Sequence, residues 1–311
     1  MKSRIHAHIG TLRQLEILLA AHEEGSIKGA SERLHLTQPT VSMQLKKLSE
    51  AIGMPIFEKA GRQRVTTDAG RALIQTARDV LANFEQLEET LSDLRGLRAG
   101  TLKIAAVTTS QYFIPHLLGP FCQRYPGVDV RFHVGNRQQI IQRLEDGLDD
   151  IYVFSHPPDD DDIELSEFLP NPLVAIAPEG HLLAAREQIG LKDLINEGLL
   201  MREPGSGTRH AIEQHLSKHQ IRLKPRMTIE SNEAIKHAVM SGLGVAILSV
   251  HALGFGGRSG LAELNVEELP IDSHWFMVTH RSRRLSPVAQ SFKQYLEGEG
   301  KAMMMAELTQ P

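Results

Sequence analysis

Residues 30–67 read ASERLHLTQPTVSMQLKKLSEAIGMPIFEKAGRQRVTT, two short helical patterns followed by a basic hairpin. His35-Leu36-Thr37 separates the two helices, and Thr37 followed by Gln38 and Pro39 is a helix start, a hydroxyl cap with proline in the first turn. In the second helix Val41, Leu45, Leu48 and Ile52 fall on one stripe, the face that must be buried. The outward side carries Pro39, Thr40, Ser42, Met43, Lys46 and Lys47, with no acid until Glu50. Small hydroxyls and two lysines on one helix face suit the major groove of DNA.

Working outward, Leu12, Leu15, Leu18 and Leu19 make an amphipathic first helix that Gly25 ends, and Ser26 caps a second holding Ala30 and Leu34. A three-helix bundle with no DNA role shares this much of the pattern. The residues after Gly53 weigh against it. Ile56 and Phe57 anchor a short strand, Gly61 turns it, and Arg62, Arg64, Thr66 and Thr67 return as a second, giving a basic wing. Lys59, Arg62 and Arg64 would lie along phosphates or enter the minor groove, a contact that supplies affinity and register. Asp68 to Leu97 contains no proline and, before Gly96 near its end, only Gly70, and reads as one long helix. Leu73, Ala77, Val80, Phe84, Leu87, Leu91 and Leu94 alternate spacings of four and three, a heptad seam for dimerisation unless the helix packs on its own domain. Such a helix spans roughly 45 Å, enough to hold two heads on one face of a duplex at a near-palindromic operator.

With 41% hydrophobic and 23% charged residues in 311, the composition is that of a soluble globular protein of two or three units. MKSRIHAHIG lacks the apolar run of a signal peptide, which places the chain in the cytoplasm. The lone Cys122, among Leu117, Leu118, Phe121 and Tyr125, reads as part of a buried helix face and not as a reactive thiol. A net charge of −4 argues against a nucleic-acid partner until its distribution is seen. Residues 1–67 hold ten Lys or Arg against six Glu, net +4, leaving 24 against 32 acids, net −8, for the remainder. A basic DNA-binding end joined to an acidic sensor fits that division.

After Gly96 and Gly100 the periodicity changes. Strands at Leu102–Val107, Val128–Val134 and Ile151–Phe154 alternate with helices over TSQYFIPHLLGPFCQRYP and Arg137–Leu144, a βαβαβ order that predicts a parallel sheet. The order resumes with strands at Leu173–Ala177, Leu199–Arg202, Arg226–Glu230, Val245–Leu248 and Trp275–Thr279, helices from Thr208 and Asn232, and a last helix from Pro287 to about Leu296. Two α/β halves with crossing segments leave a cleft between them, where open α/β sheets bind ligands. The expected domains are residues 1–67, a linker helix and hinge over 68–100, and an effector domain over 101–311. Within the last, lobe I takes about 101–168 and 273–311, and lobe II about 169–272.

Three strand-end loops lead into helices whose free backbone amides favour an anion: Thr108-Thr109-Ser110, REPGSGTR with Arg202, Gly205, Ser206, Gly207 and Thr208, and the loop holding Ser231 and Asn232. Each alone is as consistent with a helix cap. Together at equivalent strand ends they point to a small phosphate or carboxylate. REPGSGTR has neither the spacing nor the lysine of a nucleotide P-loop, and Gly205-Ser206-Gly207 is not a nucleophile elbow. Fifteen histidines lack metal-ligand spacing, with His6 and His8 read as solvent-exposed. Asp159–Asp162 reads as a solvated loop between the halves, Gly242-Leu243-Gly244 as a helix stop, and Met303–Met305 as part of a fraying tail.

Residues 30–70, then GTLKIAAVTTSQYFIPHLLGPFCQRYPGV, then SGLGVAILS together resemble a LysR-type transcriptional regulator over nearly the full length. VTTSQYFIPHLL, REPGSGTR and SNEAIKHAV are most similar to the Calvin-cycle (RuBisCO-operon) and inorganic-carbon-uptake regulators. The resemblance implies an α+β and α/β chain with a winged helix-turn-helix, a long linker helix and a two-lobed effector domain of periplasmic-binding-protein type. It implies DNA contacts from Gln38, Pro39, Thr40 and Ser42, and an effector site at Thr108, Thr109, Ser110, Gly205–Thr208, Ser231 and Asn232. Met43 and Lys59 stand where many members have arginine. Also implied are promoter DNA and RNA polymerase as partners and a homodimer or a tetramer built as a dimer of dimers. No resident cofactor and no catalysed reaction are implied. The effector would be a phosphorylated sugar such as ribulose bisphosphate, phosphoglycolate or NADPH. A solute-binding protein of periplasmic type would share the sensor fold, and the head opposes it. Ser42→Ala should relax sequence preference, whereas Lys46→Ala should weaken binding to all sequences and reduce the salt slope by about one. Fluorescence anisotropy on operator and random duplexes checks both, and equal losses on the two duplexes for Ser42→Ala would refute base reading.

Overall fold

Polar caps divide the first sixty residues into three helices. The computed structural model describes residues 11–60, 63–94, 99–254 and 257–308, which leaves His6, His8, Gly61, Arg62, Gly96 and Leu97 outside the described residues. α1 (Leu12–Glu23) ends at Gly25, whose φ of +62° a side chain would resist. α2 (Ile27–Arg33) starts at Ser26, whose Oγ accepts from the Gly29 amide at 3.0 Å. α3 (Gln38–Ile52) starts at Thr37, whose Oγ1 accepts from the Thr40 amide at 3.4 Å, and it stops at Gly53. Val41, Leu45 and Leu48 of α3 are buried against Leu15, Leu18 and Ala30, with half-buried Ile52 at the margin.

The wing is an antiparallel pair, β1 (Phe57–Ala60) and β2 (Gln63–Thr66), in which Lys59 lies opposite Arg64. Thr67 is not part of the strand. Its hydroxyl accepts from the Gly70 amide at 3.0 Å and lies 2.6 Å from the Pro55 carbonyl, so it caps α4 (Asp68–Leu94) and ties it to the chain entering the wing. At Gly70 the helix lies flush on that chain, and a Cβ would stand 2.2 Å from the Ile56 carbonyl oxygen. The predicted heptad seam divides along α4. Leu73 and Ala77 are buried in the head's own core, and Val80 packs against it. Phe84, Leu87 and Leu91, at 48%, 50% and 44% exposure, remain open. The first two seam positions are therefore spent within one chain, because the helix must close the three-helix core before it can project. Contacts divide the chain between Leu91 and Ser92 into two compact units.

In the second unit β3 (Ala99–Val107) leads through a 3₁₀ turn over Thr108–Tyr112 into α5 (Ile114–Arg124), splitting the single helix expected there. β4 (Gly127–Gly135), α6 (Arg137–Glu145) and β5 (Ile151–Phe154) complete the βαβαβ order, and β3 pairs in parallel with β4 and β5. β6 (Ile163–Pro170), unforeseen in the sequence, is an edge strand whose acidic, half-exposed residues hide its periodicity. Asp159–Asp162 is exposed and joins β5 to β6, so it lies within lobe I and not between the halves. Lobe II holds β7 (Leu173–Pro178), α7 (Leu191–Asn196), β8 (Leu199–Met201), α8 (Gly207–Lys218), β9 (Met227–Thr228), α9 (Asn232–Met240), β10 (Val245–Ser249), α10 (Val250–Gly254) and β11 (Leu261–Leu264). The strand expected over Arg226–Glu230 shrinks to the two residues of β9. β12 (His274–His280) then returns to lobe I, antiparallel between β5 and β6.

The sheets run β4-β3-β5-β12-β6 and β11-β7-β10-β8-β9, each mixed and not wholly parallel because a strand crosses into it from the other lobe or doubles back. α11 (Pro287–Tyr295) continues through a π turn over Leu296–Gly300 into α12 (Lys301–Leu308). Met304 is wholly buried in the lobe I core with Phe121 and Phe292, so the expected tail is a packed helix. Gly242, at φ +75°, ends α9 as expected. Among the described residues no helix is long and apolar enough to cross a membrane. Replacing both Phe84 and Leu87 by Ser should weaken self-association by about 1.5–3 kcal/mol per buried side chain without lowering the head's melting temperature. Ala77→Asp should instead unfold the head, and sedimentation with thermal melts separates the two outcomes.

Candidate functional site

On the head, α3 turns Gln38, Pro39, Ser42, Met43, Lys46 and Lys47 to solvent, with Thr37 exposed and Thr40 half-buried. The Thr37 and Thr40 hydroxyls lie 2.8 Å apart, which fixes the first turn of the helix. A side-chain bond of 2.8 Å from Gln14 Nε2 to Gln44 Oε1 ties α3 to α1 behind the exposed face. Lys46 reaches Glu50 only at 3.8 Å with both ends exposed, a pairing too weak to withhold it from phosphate.

In the sensor, a small open pocket between the lobes is lined by Thr108, Thr109, Asn136, Arg137 and Ser155 of lobe I and Arg202, Ser206, Gly207 and Thr208 of lobe II. Two helices begin at it. Asn136 and Gln139 form a reciprocal capping box on α6, at 3.0 and 2.8 Å, and the Ser206 hydroxyl caps α8 through the Arg209 amide. The first-turn amides of Gly207 and Thr208 and of Arg137 and Gln138 have no intrahelical acceptor, and the helix dipoles add positive potential. At Gly207 the two lobes approach closely, and a Cβ there would stand 3.1 Å from Ser155 Oγ, so that the serine would have to shift.

Arg202 reaches the pocket but its charge is already spent. Only 2% exposed, it donates from Nε and Nη2 to the two Glu203 oxygens at 2.8 and 3.0 Å, and from Nη1 to Asn232 Oδ1 at 2.6 Å. Asn232 Nδ2 in turn donates to Thr109 Oγ1 at 3.2 Å, joining the lobes. A second bond between the lobes runs from the Tyr112 hydroxyl to Glu233 Oε1 at 2.7 Å. Burial, then that carboxylate, pushes the Tyr112 phenol well above its ordinary range, so it stays a donor. Arg209 is likewise committed, to Glu213 at 2.7 Å.

Arg137 differs. Its guanidinium is held by main-chain carbonyls, Nε to His156 O at 2.6 Å and Nη2 to Pro157 O at 3.4 Å, and among the described residues no carboxylate pairs with it. Burial lowers its pKa from the usual arginine value, yet an arginine keeps its charge. Beside it the His156 ring lies 5.7 Å from His210, and its Nδ1 is 3.3 Å from Ser155 Oγ. Burial, then His210 and Arg137, push His156 down to about 4, and burial lowers His210 as well.

Of the expected effector residues, Thr108, Thr109, Arg202, Ser206, Gly207 and Thr208 line the pocket. Ser110 does not: fully buried, its hydroxyl donates to the Val107 carbonyl at 2.7 Å. Ser231 is exposed and caps α9 through the Ala234 amide, which leaves its neighbour Asn232 to face inward. Gly205, at φ +89°, makes the turn before α8 and lies near Gln138. Asn136, Arg137, Ser155 and His156 were missed. Asn136-Arg137-Gln138-Gln139 carries a signal in its capping-box spacing after an apolar strand. Ser155 and His156 carry none.

A winged helix-turn-helix followed by a two-lobed α/β unit with an anion-suited pocket defines a ligand-responsive DNA-binding regulator. Residues 12–71 match the bacterial regulatory helix-turn-helix protein, lysR family, and residues 95–301 match the LysR substrate binding domain. The chain belongs to the LysR family and is a transcriptional regulator, not an enzyme. It is 45% identical to the HTH-type transcriptional activator CmpR of Synechocystis sp., covering 96% of this chain and 98% of that one. It is 39% identical to the RuBisCO operon transcriptional regulator of Acidithiobacillus ferrooxidans, covering 92% and 93%. Among solved structures, the Synechocystis CcmR regulatory domain in complex with 2-PG is 41% identical at a TM-score of 0.62, covering 65% of this chain and 98% of that one. A full-length OxyR variant from Pseudomonas aeruginosa, at 22% identity and a TM-score of 0.73 over 94% of this chain and 95% of that one, shares the fold. Asn232→Ala should strand buried donors of Arg202 and cost about 1.5–3 kcal/mol. Urea unfolding followed by Trp275, the sole tryptophan and buried in lobe I, reads the sensor alone, and an unchanged midpoint would refute the bridge.

Proposed function

We propose that this regulator controls genes of carbon dioxide fixation or inorganic-carbon uptake and responds to a small phosphorylated carboxylate such as phosphoglycolate bound between the sensor lobes. The observation that carries the ligand reading is Arg137, a half-buried cation held by carbonyls alone and set beside the starts of α6 and α8. A guanidinium with first-turn amides is suited to a phosphate group, which accepts several charge-assisted hydrogen bonds at once. The names of its relatives, CmpR and the RuBisCO operon regulators, support the choice of target genes, and 2-PG in the CcmR regulatory domain supports the ligand class.

Promoter DNA is the proposed partner of the α3 face and the wing, and on this reading the protein works in the cytoplasm beside RNA polymerase. Self-association through Phe84, Leu87 and Leu91 of α4 would present two heads to two half-sites. A ligand acts on such an assembly only through different affinities for its two states. Arg137→Gln should lower phosphoglycolate affinity by about ten- to hundredfold, the worth of a charged hydrogen bond, and Ser206→Ala should lower it less. Both should leave ligand-free promoter affinity unchanged. Calorimetry and promoter-shift assays check these outcomes, and full phosphoglycolate affinity in Arg137→Gln would refute the pocket.

A further inference from the structure

Two histidines stand beside lining residues of the pocket and belong to different lobes, His156 next to Ser155 after β5 in lobe I and His210 two residues beyond Thr208 in the first turns of α8 in lobe II. Their rings meet edge to face with centroids 5.7 Å apart, and His156 reaches the pocket wall through Ser155 Oγ at 3.3 Å. We propose that His156 and His210 are the proton-accepting part of the effector site, so that a phosphate-bearing anion binds together with one proton shared by this pair. The inference rests on the anion reading of the pocket and adds to it a pH dependence and a preference for dianions.

The charges around the pair make the case. Arg137 of α6 faces both rings, and its Nε donates to the His156 carbonyl at 2.6 Å. Glu213 of α8 faces His210, but it is already paired with Arg209 at 2.7 Å. Without a ligand, a proton on either ring would add a second cation beside Arg137 in a poorly solvated gap, and protons on both would repel across the lobes. Burial, His210 and Arg137 hold His156 down at about 4, so the unliganded pair is neutral near pH 7. A dianion at Arg137 and the amides of Gly207 and Thr208 reverses the sign of the local field and raises both histidines. The mutual repulsion of the rings limits uptake to one proton, carried by the pair and not by one residue.

The sign follows from linkage. The bound state holds the extra proton, so affinity is greatest at low pH and falls as pH rises through the raised pKa of the liganded pair, at most about tenfold per pH unit for one proton. A carboxylate monoanion, with half the charge, draws the proton less. Proton uptake can be measured on the full chain by calorimetry in buffers of different ionisation enthalpy at pH 6.5 and 8.0. Phosphoglycolate and inorganic sulfate serve as probes, the latter because it does not titrate in this range. The wild type should take up between half and one proton with sulfate and bind several-fold more weakly at pH 8.0. His156→Gln and His210→Gln together should abolish uptake with sulfate and flatten the pH profile. Equal uptake in wild type and double variant overturns the proposal, as does sulfate binding with no uptake in the wild type. If the double variant fails to fold, imidazole NMR titration of the wild type decides: histidine titration unchanged by saturating phosphoglycolate overturns the proposal. Binding of neither probe at either pH would instead remove the anion reading on which it rests.

Discussion

The buried ion pair between Arg202 and Glu203 is the constraint from which the rest of the sensor site follows. A guanidinium so little exposed would be intolerable without a carboxylate, and both Glu203 oxygens are taken up by it. Its remaining edge then dictates where Asn232 must stand, and Asn232 dictates the approach of Thr109 from the other lobe. One neutralised charge thus holds three strand-end loops in mutual register. Because Arg202 is compensated internally, the pocket's net positive character falls to Arg137 and the helix starts. The pocket's charge is therefore set by where a cation is left unpaired by carboxylates and not by how many basic residues line it.

The head obeys a different economy, one of apolar surface. A bundle of three short helices cannot close its own core, and the first turns of α4 supply the missing wall through Leu73, Ile74 and Ala77. Only beyond Val80 does the helix leave apolar side chains unpartnered. The boundary between holding one head together and reaching another copy accordingly falls inside a single helix, at a point that no change of sequence period marks.

Most of the architecture was legible because it is written in local chemistry. Thr37 before Gln38 and Pro39, Ser26 after Gly25, and the Val41–Leu45–Leu48 stripe each set a boundary or face within one turn of the residues concerned. The central strands of both lobes were legible as short apolar runs, since burial on both faces leaves them no polar alternation. What was not legible depended on partners distant in sequence. Arg202 reads as an anion ligand until Glu203 is seen folded back on it, and adjacency in sequence does not say that both will be buried. Ser110 and Ser231 carry the same hydroxyl as Thr109 and Ser206, and only backbone position decides that Ser110 bonds the Val107 carbonyl in the core and that, of the two helix-capping serines, Ser206 lines the pocket while Ser231 faces solvent. Arg137 and His156 meet within lobe I, at the ends of β4 and β5, through a bond between residues 19 apart that no local pattern shows. β6 was hidden by its edge position, where acidic residues suit water better than a pattern.

The contact at Gly70 carries a mechanical meaning. The helix backbone rests closely on the Ile56 backbone there, with the Thr66 methyl beside it and Thr67 clamping the junction, so little room is left to absorb motion. Wing and helix are in effect a single casting, a lever with its blade fixed at one end. A twist at the start of α4 would therefore be passed to β1 and β2 as a change in the angle of the wing.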